Sequence, residues 1–324
     1  MKKYRIHIPA SAVSDRLDRL IVQHHSGFSR REIKRLIDRG SVYVNGRRIR
    51  QASYQVFPPA EIQIFVKENL EIEHVAVQIH WHSLVLYQDA HLLIINKPPG
   101  IPTAPTVDSA VHNVYAYLQQ AGILSHPFYP FHRLDLDTSG VLMIPLSRQA
   151  VRKLNEQMRH HRIQKIYLAL CQGIPASTQW KTIGTISRQR QPPSRYRFSP
   201  QPGMRGFYSE SHFRCLAYRS QPEVSLIQAR PVTGRTHQIR LHLQHAGLPI
   251  LGDAHYGFQL SGWPGDFPSP ERTLLHCREM MFTHPLTLDR ISVQAPLPAD
   301  FARFLRLLFP DISDKYITNA MPTL

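Results

Sequence analysis

Four apolar runs of strand length, Leu84–Tyr87, Leu92–Ile95, Val141–Ile144 and Ile166–Cys171, constrain the fold of this chain most. Unequal stretches separate them. One helix is expected over about 110–120, ending before Gly122, and another from a cap at Ser147 to about His160. Strands and helices are interspersed, without the regular alternation that builds a doubly wound sheet. The pattern predicts an α+β domain whose mixed, largely antiparallel β-sheet is flanked by helices. At 324 residues and 42% hydrophobic, the chain can bury the core of one large domain and one small one.

The small unit occupies the first 66 residues. Ser29 with Glu32 forms a capping box and Gly40 stands at a helix C-cap, so a short helix is expected over Arg30–Arg39. At 100° per residue Ile33, Leu36 and Ile37 share one side, while Arg30, Arg31, Lys34, Arg35 and Arg39 spread over the remainder. Next, Ser41–Val44, an Asn45-Gly46 turn and Arg47–Ile49 read as a hairpin. Arg16–Ile21 suits an earlier helix. Residues 67–80 mix charges without an amphipathic period and read as a linker. The larger domain is expected over 81–310, with a C-terminal tail at 311–324.

Charge narrows the partners. Lys and Arg number 39 against 23 Asp and Glu, for a net charge of +16, and the first 50 residues hold 13 of those cations against four carboxylates. Such an excess favours a polyanion, and RNA over a membrane, because no apolar run has the length to span one. Cys171, Cys215 and Cys277 are too scattered for a disulfide framework or a zinc site. The basic start lacks the apolar stretch of a secretory signal, so a cytoplasmic location is expected. Residues 186–208 combine five arginines with prolines and aromatics. They read either as a basic, aromatic loop touching RNA or as an irregular insertion between strands.

Two polar runs carry the chemistry. Phe131-His132-Arg133-Leu134-Asp135-Leu136-Asp137-Thr138-Ser139-Gly140 sets an aspartate among an arginine, a histidine and two hydroxyls. Arg230-Pro231-Val232-Thr233-Gly234-Arg235-Thr236-His237-Gln238-Ile239-Arg240 offers guanidinium groups that can pair with Asp135 if the fold brings them together. His237, His242 and His245 raise the idea of a metal hydrolase, but the H-E-x-x-H spacing and a nearby carboxylate ligand are missing. "HRLD" also differs from a kinase loop, where the aspartate directly follows the arginine, and neither D-F-G nor a Gly-rich loop accompanies it.

Together with Leu86–Asp89, Ile94–Gly100, Gly247–Asp253 and Tyr256-Gly257, these runs resemble the RluA-type pseudouridine synthases, in family order over roughly residues 80–300. "SRREIKRLI" and "VYVNG" resemble the S4 RNA-binding module over residues 14–66. The resemblance implies an isomerase that detaches a uracil from its ribose, turns it and rejoins it through carbon 5, with no cofactor and no metal. It implies that Asp135 is the nucleophile or base, with Asp137 structural. Tyr167, in Lys165-Ile166-Tyr167, then stacks on uracil or moves a proton, and Arg235 is the carboxylate's partner. Arg133 becomes the wedge that fills the gap left by a flipped base. An S4-like module ahead of the catalytic domain points to 23S rRNA, with tRNA as the alternative substrate and a non-catalytic RNA-binding or assembly factor as the alternative class. A monomer is expected. Arg30, Arg31, Lys34, Arg35 and Arg39 are the expected RNA contacts of the module.

Overall fold

The computed structural model describes residues 2–25, 33–34, 36–37, 41–49, 51–66, 79–104, 113–125, 131–189, 196–201, 205–259, 263–265 and 267–317. It divides into two compact units, Met1–Ile79 and His80–Leu324. Among the described residues no helix is long and apolar enough to cross a membrane.

In the first unit, β1 (Lys2–Ile8), β3 (Val42–Val44), β4 (Arg47–Ile49) and β6 (Ala60–Val66) form an antiparallel sheet in the order β1-β6-β3-β4. The short strands β2 (Asp15–Arg16) and β5 (Gln55–Val56) pair separately, and helix α1 (Leu17–His24) follows β2. The hairpin between β3 and β4 turns through Asn45 and Gly46, both at positive φ (49° and 75°), as an Asn-Gly two-residue loop requires. Asn45 also accepts a hydrogen bond from the Glu61 N–H through its Oδ1 (2.8 Å), fastening the turn to β6. Ile33, Leu36 and Ile37 are buried with Leu17, Leu20 and Ile21 against the sheet's Ile6, Val42 and Ile62, while Lys34 is exposed. Each such side chain contributes about 1.5–3 kcal/mol on burial. Arg30, Arg31, Arg35 and Arg39, like the caps Ser29, Glu32 and Gly40, lie outside the described residues, as do residues 67–78 of the expected linker.

The second unit is built on one ten-stranded sheet. Its strands are β7 (Val85–Gln88), β8 (Leu92–Lys97), β9 (Ser139–Pro145), β10 (Gln164–Gln172), β11 (Gln179–Arg188), β12 (Tyr196–Ser199), β13 (Phe207–Ser220), β14 (Glu223–Pro231), β15 (Leu275–Thr283) and β16 (Arg290–Gln294). They run in the order β12-β11-β13-β14-β10-β15-β9-β8-β7, with β16 also paired to β15. Strands β8, β9 and β10 are almost continuously buried, which is why their sequences are apolar runs; β13, nearer the edge, alternates buried and exposed residues over its first half. Helices α2 (Val114–Gln120) and α3 (Arg148–Arg159) begin on side-chain caps, Asn113 accepting from the Ala116 N–H (3.1 Å) and Ser147 from the Ala150 N–H (3.2 Å). Helix α4 (Gln238–His245) follows β14, and α5 (Ala299–Leu308) and α6 (Pro310–Ile317) close the described chain.

Within 311–324 the described residues are helical as far as Ile317, and Ser313 is buried. One expectation is corrected here. The described part of 186–208 is not a loop: Thr185–Arg188 pairs in register with Tyr196–Ser199, and Tyr196 and Phe198 pack against the cluster of Ile186, Leu241 and Tyr256. Prolines and arginines hid the alternation of Tyr196 and Phe198 with polar residues.

Every described pairing in the large sheet is antiparallel except β9 with β15, where Ser139 and Gly140 lie beside His276 and Cys277. Antiparallel β16 takes over the same edge of β15 from Glu279 onward. Gly140 is at φ +110°, and a Cβ there would stand 2.1 Å from the Cys277 carbonyl oxygen. Gly140→Ala is therefore expected to destabilise the fold by about 3 kcal/mol or more through clash and backbone strain. Equilibrium denaturation checks this, and a change below about 1 kcal/mol would contradict the close approach described.

Candidate active site

The segment leading into β9 carries Asp135, and its backbone is held from several directions. The Thr103 hydroxyl accepts from the Leu134 N–H (3.2 Å) and donates to the Leu134 carbonyl (3.0 Å). The Leu136 carbonyl accepts from Lys97 Nζ (3.1 Å) and from the Gly100 N–H (3.0 Å). Arg272, clamped on Asp300 (2.5 and 2.8 Å), gives its remaining Nη1 to the Asp137 carbonyl (2.9 Å). The Thr138 N–H closes a turn onto the Asp135 carbonyl (3.1 Å). Ser139 then donates to His276 Nδ1 (2.9 Å), whose other nitrogen donates to the Ala295 carbonyl; burial pushes this imidazole down to about 3, so it stays neutral. Gly252 packs its Cα against the Arg272 backbone, where a Cβ would stand 1.9 Å from the carbonyl oxygen.

Lys97, within the Ile94–Gly100 run, has a task that the sequence alone does not reveal. Its ammonium is fully buried and donates to the Pro98 (2.8 Å) and Leu136 carbonyls. Burial, only partly offset by the Asp137 and Asp135 charges, drives its pKa down to about 7. A neutral amine keeps two N–H donors, so both bonds survive the loss of the proton.

The second polar run supplies the electrostatic partner, and here the expectation is corrected. The guanidinium facing Asp135 belongs to Arg240, with Nη1 3.6 Å from Asp135 Oδ2. Arg235 is exposed, donates through Nε to the Tyr208 carbonyl (2.9 Å) and lies over the Phe207 ring at 5.4 Å. The reason is where α4 starts. His237 adopts a left-handed conformation (φ 58°), so Arg235 precedes the helix in the loop, whereas Arg240 lies within its first turn. Gln238 fixes the loop with four bonds: its Oε1 accepts from the Thr233 hydroxyl (2.7 Å) and the Arg235 N–H (3.0 Å), and its Nε2 donates to the Glu210 carbonyl and the Ser211 hydroxyl (both 2.9 Å).

Arg240 spends its fork on Asp253, at 2.6 and 2.8 Å, and rests over the Tyr256 ring at 4.7 Å. Burial opposes its charge, yet the hydrogen bond and charge of Asp253, with the charge of Asp135, raise its pKa overall. The contact to Asp135 is longer than a hydrogen bond and acts through charge. Tyr256 in turn shares a proton with His237 Nδ1 (2.7 Å). Asp253 and Tyr256 belong to the run Gly252-Asp253 to Tyr256-Gly257, whose role the sequence left unassigned.

Asp135, Arg240 and Tyr167 line one open pocket of about 860 Å³. Tyr167, on β10, is 8% exposed and stands in register with Cys277 of β15. Burial holds this phenol well above its ordinary pKa, with the Cys277 and Asp135 charges adding to the effect, so it remains protonated. Arg133 is exposed on the pocket wall. His132 accepts from the Met143 N–H through Nε2 (2.9 Å) and is kept neutral by burial. Asp137 does not line the pocket; its backbone, held by Arg272, serves the turn. His242 bonds Ser209 (3.0 Å), His237 bonds Tyr256, and His245 packs on Phe198, so these rings have separate partners.

Lys97→Met should slow turnover, since the Leu136 carbonyl loses a donor beside Asp135. The variant also isolates a pH signature. An unfolded lysine keeps its proton up to the ordinary 10.5, whereas the folded one releases it near 7, so rising pH across that window favours the folded state. The stability of wild type relative to Lys97→Met should therefore climb from about pH 7 towards 10. Parallel urea-midpoint curves for the two proteins would show that Lys97 does not titrate in this way.

Comparison with known proteins identifies the family. The family model for RNA pseudouridylate synthase matches residues 91–245, and that for the S4 domain matches residues 15–58. A ribosomal large subunit pseudouridine synthase C of Vibrio cholerae is 33% identical over 319 residues, covering 93% of this chain and 95% of the relative. An uncharacterized RNA pseudouridine synthase of Bacillus subtilis is 34% identical over 228 residues, covering 69% of this chain and 72% of the relative. Among solved structures, human RNA pseudouridylate synthase domain containing 1 superposes with a TM-score of 0.53 at 26% identity, covering 66% of this chain and 83% of its own. The chain belongs to the RNA pseudouridylate synthase family and carries an S4 domain ahead of its catalytic unit.

Proposed function

We propose that this pseudouridine synthase isomerises specific uridines of 23S rRNA, using Asp135 as the carboxylate that acts on the ribose. The observation that carries the assignment is the placement of Asp135, one-fifth exposed, in a pocket it shares with Arg240 and the buried Tyr167. Arg240 keeps a positive charge at the carboxylate without occupying it. Tyr167, protonated and lining the pocket, offers a ring for the detached uracil and a hydroxyl for moving a proton. Arg133, exposed at the same pocket, fills the place a flipped uridine leaves. The ribosomal substrate rests on relatives named ribosomal large subunit pseudouridine synthase C, which match 93–94% of the chain and so include its S4 domain. A monomer working in the cytoplasm, with an S4 unit over residues 1–66 and the catalytic unit from 81, completes the reading.

Asp135→Asn should abolish tritium release from carbon-5-labelled RNA while leaving RNA affinity nearly unchanged, because the amide keeps the shape but not the nucleophile or base. Arg240→Ala should be similarly inactive, leaving two carboxylates without their shared cation at a cost of about 3–5 kcal/mol. Arg235→Ala should retain most of the saturated rate, and inactivation of that variant with normal turnover in Arg240→Ala would reverse the two roles. Mapping pseudouridines in ribosomal RNA from cells with and without the protein tests the substrate. The S4 unit should govern affinity: replacing Arg31, Lys34 and Arg35 by Ala should flatten the salt dependence of RNA binding by roughly 0.7 to 0.9 log units per lost phosphate contact. An unchanged slope would remove these residues from the interface.

A further inference from the structure

Lys165 is the pocket cation left without an assignment. It lies two positions before Tyr167 on β10, so both side chains leave the same face of the sheet, and both line the pocket with Asp135. Each neighbouring cation is committed elsewhere. Lys97 gives its Nζ to two carbonyls, Arg240 its fork to Asp253, and Arg235 its Nε to the Tyr208 carbonyl. Arg133 and Arg159 are exposed. Lys165 is half-buried, and among the described residues no carboxylate lies within ion-pair distance of it and no acceptor takes its hydrogen bonds. The titratable groups that feel its charge are His132, kept neutral by burial, and Cys277, whose thiol burial keeps protonated. An ammonium withdrawn from water normally finds a partner inside the protein. This one faces a cavity instead, which points to a partner that arrives with the substrate.

We propose that Lys165 donates to a carbonyl oxygen of the flipped uracil and stabilises the charge that develops on the base as it detaches. When the N1–C1′ bond breaks, its electron pair stays with the base and spreads over N1 and the two carbonyl oxygens. The electron-deficient C1′ is left to the Asp135 side of the pocket. The base then turns, C5 bonds to C1′ with the electrons of the ring, the C5 proton leaves and N1 takes up a proton. Nothing is oxidised or reduced. Positive charge at a carbonyl oxygen matters most while the base is detached, so the ammonium acts on the transition state more than on the bound RNA. Burial lowers the Lys165 pKa, which fits a cation whose counter-charge is supplied by the reaction.

The inference rests on this pocket being the uridine site, and the test separates the two. Wild type, Lys165→Met and Lys165→Arg are compared in single turnovers at saturating RNA, with uridine or 5-fluorouridine at the target. Loss of the N-glycoside is read by digestion and chromatography. Lys165→Met should lose about 10²–10³-fold in rate on uridine with RNA affinity little changed, and Lys165→Arg should recover about tenfold or more of that loss. Fluorine withdraws electrons and stabilises the detached base by itself, so the Met defect should shrink on 5-fluorouridine. A purely structural lysine would slow both substrates equally, and that result, or a Met variant near the wild-type rate, overturns the proposal. If Lys165→Met fails to fold, Lys165→Gln takes its place in the same comparison. Retained turnover in Asp135→Asn would instead unseat the site assignment itself.

Discussion

One guanidinium shared unequally between two carboxylates organises this candidate active site. Arg240 is locked by two short bonds to Asp253, which is almost fully buried, and by the Tyr256 ring beneath it. Its remaining nitrogen is therefore fixed in place and turned towards Asp135 without being bound to it. Had the fork closed on Asp135, the carboxylate would be neutralised and sterically occupied. As built, the protein meets the cost of desolvating the cation at Asp253 and leaves Asp135 with a nearby charge and free oxygens.

The backbone around Asp135 follows the same logic. Lys97, Gly100 and Thr103, from one stretch beginning at the end of β8, and Arg272, from far along the chain, each bind a peptide group of the segment while the aspartate side chain keeps its facing pocket. Capturing carbonyls fixes the position of the carboxylate to a fraction of an ångström without consuming its lone pairs. Arg272 repeats the device of Arg240, since its fork is held by Asp300 and its spare nitrogen reaches the segment.

Much of this was legible in the residues. The Asn45-Gly46 turn, the Ser147 cap and the buried side formed by Ile33, Leu36 and Ile37 follow from local rules acting over a few positions. Asp135 stood out because its neighbours were polar within an otherwise apolar region. On sequence Arg235 is the expected partner, whereas the structure puts Arg240 at Asp135; the deciding fact is that the helix begins at Gln238 after a left-handed His237. Ile239, Leu241 and Leu243 alternate with polar residues as a strand would, so the apolar pattern gives no sign that the run turns helical there. Lys97 sits at the end of an apolar strand, and nothing local tells a buried lysine from one that reaches water. The strand order, with β9 parallel to β15, depends on pairings far apart in the chain and left no local trace.

That parallel pair has a consequence for how the enzyme is made. The segment bearing Asp135 can settle only when β15 lies beside Gly140 and when Arg272 and Asp300, late in the chain, have joined it. On the ribosome the S4 domain has all its residues early, whereas the Asp135 segment waits for Arg272, 135 positions beyond Asp137. A chain that has not yet reached Arg272 can hold a folded S4 domain while the Asp135 segment still lacks the guanidinium that fixes its backbone.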